Sequence, residues 1–221
     1  MTDSIEASDV AAYLKSHPEF FVHYAELLTQ IHIPSPHGGK AVSITERQIG
    51  TLRDKVKQLE NKLAELVRFG EQNDAIAAKV HRFGVALQGA TGVGDALHLI
   101  YAHLRDVFAV PHAALRIWGI GRGDGIEFAP VDDGIKAFIA FAKTPYCGAA
   151  GGQPATAWLG EAGSHVRSLA QVPLREADTG ACFGMLLLAS EEVERFYPEM
   201  GTVYLEQIGD IAGAALQRVI G

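Results

Sequence analysis

The sequence predicts a mixed helix-and-strand protein of α+β or α/β class, its compact domain carried behind short N-terminal helices and one long coiled-coil-like helix. Three observations predict it. Apolar residues keep a heptad rhythm from Ile49 to Leu66, short apolar runs bounded by turn residues recur between Ala113 and Ala189, and the closing stretch from Val203 to Val219 has helical spacing.

At the N-terminus, Val10, Tyr13 and Leu14 and then Phe20, Phe21, Tyr24, Leu27 and Leu28 recur at helical intervals. Ser8 or Asp9 is expected to cap the first helix. His17-Pro18 divides the region into two short helices, because the residue before a proline avoids the α conformation. The segment IHIPSPHGG, residues 31–39, is a breaker-rich loop.

The long helix follows. Ile49, Leu52, Val56, Leu59, Leu63 and Leu66 are spaced 3, 4, 3, 4 and 3 residues apart. Such a narrow seam is what a parallel dimer of helices buries. Phe69 comes three residues later, a stammer that shifts the frame and brings Asn73 to an a-type position, with Gly70 beside the phase change. Ile76, Val80, Phe83 and Leu87 continue the new frame.

Beyond it, residues 89–94 break the helix and a second helix runs over 95–108. AALRIW, residues 113–118, reads as a strand, and residues 126–128 as its hairpin partner across GIGRGDG. A short helix over 135–141 precedes two strands, 167–174 and 183–189, joined by READTGA. Pro198 and Glu199 are expected to open the last helix, whose buried stripe is Val203, Tyr204, Ile208, Ile211, Ala215, Leu216 and Val219. The domains so delimited are 1–40, 41–75 and 76–221.

The stretch SLAQVPLREADTGACFGMLLLAS followed by RFYPEMGTVYLEQIGDIAGAAL resembles a GAF domain, a small sensory fold. VAAYLKSHPEFF, SITERQIGTLRDKVKQLENKL, TPYCG, SLAQVPL and RFYPEMGT extend the likeness over nearly the whole chain, which is similar to the bacterial domain of unknown function 484 family. The resemblance implies N-terminal helices, a coiled-coil-like helix and a GAF-like domain with a central, mainly antiparallel sheet. It implies no activity. It also implies a small-molecule pocket between one sheet face and its covering loops, reached by Arg116, Trp118, Tyr146 and Cys147 and lined by Phe128, Phe138 and Trp158. Arg116 matters most among them. It lies between Leu115 and Ile117 on a strand and so points to the opposite face, where a covered guanidinium needs an acidic partner or an anionic ligand.

Composition narrows the function. Hydrophobic residues make up 48% and charged residues 20%, an ordinary globular balance. The acidic start MTDSIEASD is no secretory signal, and no apolar run approaches the ~18 residues that span a bilayer. A cytoplasmic protein without a membrane partner is expected. Net charge is −7, and residues 40–82, with nine Lys/Arg against six acids, interleave the two signs, which disfavours nucleic acid. The nine histidines form no ligand motif, His32 and His37 being split by the proline-rich loop, so no metal is expected. The alternating glycines 119, 121, 123 and 125 match neither dinucleotide nor P-loop spacing.

Cys147 and Cys182, 35 positions apart, suggest neither a disulfide scaffold nor a zinc knuckle. Cys147 has Lys143 as its only cation nearby in sequence, and a packed thiol is the expected reading. The expectation is therefore a non-enzymatic sensory module, dimeric through residues 49–66, that binds a small molecule or a protein partner. A ligand-free scaffold and a thiol redox enzyme using Cys147 are the alternatives. No cofactor is indicated.

Overall fold

The structure is a computed structural model that describes residues 6–33, 42–121 and 123–220. Most of the loop at 31–39, with His37, and the Arg122 position in GIGRGDG lie outside the described residues. The chain divides into two compact units, Met1–Gly70 and Glu71–Gly221.

The first unit begins with three helices where two were expected: α1 (Ala7–Ser16), α2 (Phe20–His23) and α3 (Ala25–Gln30). The extra break falls at Tyr24, whose φ of −122° leaves the helical region. Ser8 and Asp9 lie inside α1, and the N-cap is Glu6, which makes no side-chain capping bond. Aromatic rings tie the pieces together: Phe20 stacks on Tyr24 at 4.8 Å and meets Phe21 and Tyr13 edge-on at 5.4 and 6.3 Å. A two-residue antiparallel pair, β1 (His32–Ile33) with β2 (Val42–Ser43), leads into α4.

Helix α4 runs unbroken from Ile44 to Gln88. The stammer and Gly70 do not interrupt it: Gly70 has no atom within 4 Å of where a Cβ would stand, and solvated backbone tolerates a helical glycine at roughly 1 kcal/mol. The six seam residues 49–66 are all exposed, Leu59 and Leu66 at 66%.

In the second unit, Val80, Phe83 and Leu87 of α4 are buried in the main core with α5 (Val93–Asp106) and α7 (Val203–Ile220). These helices cover one face of a four-stranded sheet in the order β3-β6-β5-β4, formed by β3 (His112–Ile117), β4 (Tyr146–Ala149), β5 (Ser168–Arg175) and β6 (Cys182–Ser190). Every pairing is antiparallel, the central sheet expected. The other face packs on α6 (Asp133–Phe141) and a 3-10 segment, Pro154–Ser164, through Ala114, Ile139, Ala155, Leu169, Met185 and Leu187.

Two expectations are corrected here. Residues 126–128 form a 3-10 turn, Ile126–Phe128, and β3 pairs with β6 instead. The free edge of β3 is met by a side chain: the Tyr101 hydroxyl accepts from the Leu115 N–H at 3.2 Å and donates to Glu127 Oε1 at 3.1 Å, which holds the turn beside the edge. Helix α7 starts at Val203, after a turn in which the Met200 N–H reaches the Tyr197 carbonyl at 3.1 Å. Pro198 and Glu199 belong to that turn, and the Thr202 hydroxyl donates to Glu206 Oε1 at 2.8 Å across the first turn of the helix. Val203 is accordingly exposed, and Leu205 takes its place in the stripe.

Gly209 brings α7 onto β5. A Cβ there would stand 2.7 Å from Val172 Cγ1 and 3.1 Å from the Pro173 carbonyl oxygen, and Val172 is too stiff to turn away. Gly209→Val is expected to destabilise the second unit by roughly 1–3 kcal/mol, the usual cost of overpacking, seen as a lower urea midpoint. An unchanged midpoint would mean that α7 can ride off the sheet without loss.

Candidate functional site

Alternation along the strands sorts the candidate residues by face. On β3, Leu115 and Ile117 enter the helix-covered core, so Arg116 and Trp118 turn to the α6 side. On β4 the same rule separates neighbours: Tyr146 packs with the α6-side cluster and Cys147 with the helix-covered core. The two were expected to reach one space, and the pleat places a sheet between them.

On the α6 face the structure brings together two pairs. Arg116 is 6% exposed, with its guanidinium carbon 5.1 Å from the ring centroid of Trp158. Phe138 meets Tyr146 edge-on at 5.8 Å. Trp118 and Phe128 line a separate depression of about 530 Å³ beside the glycine turn, with Val131 and Lys136. Trp118 is anchored there by its indole N–H, which donates to the Cys182 carbonyl at 3.1 Å. The seven candidates thus divide among three places and the opposite core.

Between α6, the Pro154–Ser164 segment and β5 lies a cavity of about 260 Å³, lined by Asp132, Gly134, Ile135, Phe138, Gln153, Pro154, Ala155 and Gln171. Its entrance is shaped by the α6 N-terminus, where Asp132 Oδ1 accepts from the Gly134 N–H at 2.8 Å. Its floor is Gln171, only 2% exposed. The Gln171 amide donates to Gln153 Oε1 at 3.1 Å, and Gln153 donates to the Tyr146 hydroxyl at 3.3 Å, a polar relay ending beside Phe138. Gln171 and Gln153 were not among the sequence candidates. The signal was present in SLAQVPL, where a single amide interrupts an apolar strand, as the charge of Arg116 interrupts AALRIW.

Thiol chemistry finds no support in the surroundings of Cys147. Burial alone pushes its thiol from 9.0 up to about 11, so the neutral form dominates near pH 7. Cys182 is also shifted upward by burial, and both thiols are free.

With this geometry in place, comparison with known proteins adds three findings. A family described as "Protein of unknown function, DUF484" matches residues 1–220. The chain is 22% identical over 219 residues to "Uncharacterized protein YigA" of Salmonella typhimurium and 23% identical to the protein of the same description in Escherichia coli, covering 96% of this chain and 91% of each relative. Among solved structures, the GAF domain of a putative sensor histidine kinase from Pseudomonas syringae pv. tomato superposes with a TM-score of 0.44 at 20% identity, over 68% of this chain and 91% of that one. The GAF domain of the potassium sensor histidine kinase KdpD from Escherichia coli gives 0.41 at 15%, over 65% and 94%.

Because burial raises the Cys147 pKa, alkylation of this thiol by iodoacetamide is expected to be slower at pH 7 than that of a free cysteine, and to accelerate with pH up to about 11. Peptide mass spectrometry of timed samples measures it. A rate at pH 7 matching the free amino acid would reopen the thiol-enzyme reading.

Proposed function

We propose that this chain, which belongs to the DUF484 family, is a non-enzymatic sensory module: a GAF-like domain that binds a small molecule, carried on a helix that pairs with a second copy. The observation that carries the reading is the α6-side cavity. A buried amide, Gln171, and Gln153, which donates on to Tyr146, face a space whose other walls are Asp132 at the α6 N-terminus and the apolar Ile135, Phe138, Pro154 and Ala155. A few placed polar groups in a mainly apolar concavity are the usual make-up of a ligand site. Phe138 is its aromatic wall, with Tyr146 packed edge-on behind it, Arg116 and Trp158 stand on the same sheet face, and Trp118 and Phe128 flank the neighbouring depression.

The second copy is argued from α4. Its exposed seam has Ile49 and Val56 at a positions and Leu52, Leu59 and Leu66 at d, with Leu63 completing the a series, a pattern that favours two parallel strands. In a parallel pair, Lys55 at g meets Glu60 at e of the second copy, whereas an antiparallel pair sets g against g, Lys55 against Lys62. Charge therefore favours the parallel arrangement. The same helix buries Val80, Phe83 and Leu87 in the sheet domain, so one continuous element carries both the pairing seam and part of the sensor core.

A scaffold reading rests on a different observation, the exposure of Tyr13 and Tyr24 beside Phe20 in the N-terminal helices. Native mass spectrometry on gently purified, untagged protein separates the two. A dimer carrying a reproducible small added mass is the expected result. A bare dimer whose spectrum does not change across a library of metabolite-sized compounds would favour the scaffold, and a monomer would remove the role given to residues 49–66.

A further inference from the structure

The described arginines of the sheet domain differ in what their guanidinium groups hold. Arg175 reaches the carbonyls of Ile139, Ala140 and Ala142 at the C-terminal end of α6, at 2.8–3.3 Å. Arg195 donates to Phe108 and Ala109 beyond α5, and Arg218 to Leu87 and Ala90 at the end of α4. Arg175 and Arg218 close helix ends, where unpaired carbonyls and the helix dipole favour a cation, and Arg195 holds the turn that follows α5.

Arg116 does none of this. Its one hydrogen bond runs from Nη1 to the carbonyl of its own neighbour, Leu115, at 2.9 Å. The ion pairs found among the described residues, Arg105–Asp106, His112–Glu191 and Lys136–Asp133, do not include it. Glu127, which shares the β3 edge, is engaged by the Tyr101 hydroxyl at 3.1 Å and does not pair with the guanidinium within 4.0 Å. Arg116, a residue 94% withdrawn from water, thus has an aromatic face 5.1 Å from its guanidinium carbon and no counter-charge among the described residues. Burying a charge in that state is costly, and an anion would offset the cost.

The atoms left free define what fits. Nε and Nη2 carry no protein partner, and together they form one edge of the guanidinium fork, two parallel N–H groups that match the two oxygens of a carboxylate. Among the described residues, every side-chain nitrogen or oxygen sealed from solvent has a hydrogen-bond partner. These two nitrogens have none, so each keeps some contact with solvent. One guanidinium balances one negative charge, and the Trp158 ring and Leu115 carbonyl supply no second cation or further donor toward a tetrahedral dianion. Trp158 instead covers a flat face and excludes water from it, which strengthens a planar charge-assisted pair.

Resting on the small-molecule reading of the same sheet face, we infer that Arg116 and Trp158 form an anion subsite that takes a single carboxylate group of the small molecule. The side-on Nε–Nη2 edge receives the two oxygens, and the Trp158 ring caps the pair. Sequence placed the charge on a covered face; the structure leaves it without an acidic partner.

The test titrates the full chain, at constant ionic strength, with propionate, its neutral isostere propionamide, and methylphosphonate as a tetrahedral anion. Tryptophan emission and the Arg116 ¹⁵Nε resonance are followed together. Propionate is expected to shift both signals in a saturable way and to bind at least about tenfold more tightly than propionamide and methylphosphonate, as a charge-assisted bidentate pair should. Arg116→Lys keeps the charge and loses the fork, and is expected to weaken propionate about tenfold with its thermal melt retained. If that variant does not fold, the wild-type ¹⁵Nε shift decides alone. Equal binding of propionate and propionamide, or an unmoved ¹⁵Nε signal, overturns the carboxylate assignment while leaving a small-molecule site intact. Tighter binding of methylphosphonate overturns it in favour of a phosphate-type ligand. No response to any probe, with a clean native mass spectrum, removes both readings.

Discussion

Along β6 every residue from Phe183 to Ser190 is buried, because α4, α5 and α7 pack on one side of the sheet and α6 with the Pro154–Ser164 segment on the other. A sheet enclosed in this way leaves no neutral place for a polar side chain. Each one must find a partner or stand at an opening, since an unpaired buried group costs about 1–3 kcal/mol and a charge more. Ser168 meets the rule by donating to the Glu192 carbonyl at 2.6 Å, and Gln171 by its relay to Gln153. Arg116 meets it only in part. The functional reading of this domain follows from that difference, and the aromatics around it take their meaning from the polar groups they surround.

The long helix shows the same physics from the other side. Its apolar residues recur at near-heptad spacing throughout, yet the fate of the stripe changes along its length. Val80, Phe83 and Leu87 are enclosed by their own chain, whereas Leu52, Leu59, Leu63 and Leu66 each keep more than half of their surface in water. A six-residue seam of this kind is a standing gain in burial for anything able to cover it. Gly70 lies at the boundary between the two compact units without breaking the helix.

Helix ends account for much of the remaining polar architecture. Arg175 and Arg218 bridge distant parts of the sheet domain by meeting carbonyls that a helix end leaves open, and Arg195 does so at the turn after α5. These contacts join residues 33 to 131 positions apart, so they tie together elements that are distant in sequence. No spacing rule in the sequence marks them, because their carbonyl partners are backbone and carry no residue signature.

What the sequence determined by itself was everything that depends on local period and composition. The heptad seam, the strands β3, β5 and β6, helix α6 and the apolar stripe of α7 were legible because apolar residues repeat at the period of the element they form. The face taken by Arg116 was legible for the same reason. Where tertiary partners decide, the reading failed. Residues 126–128 carry strand-like side chains but lie where Tyr101 already satisfies the β3 edge, and α7 starts at Val203, after Thr202, rather than at Pro198. Cys147 and Tyr146 are adjacent in sequence and separated by a sheet in space. Only the folded chain could show that Gln171 and Gln153 meet, 18 residues apart, or that Arg116 finds an indole and, among the described residues, no carboxylate. Period fixes which way a side chain points; which groups it then faces depends on elements brought in from far along the chain.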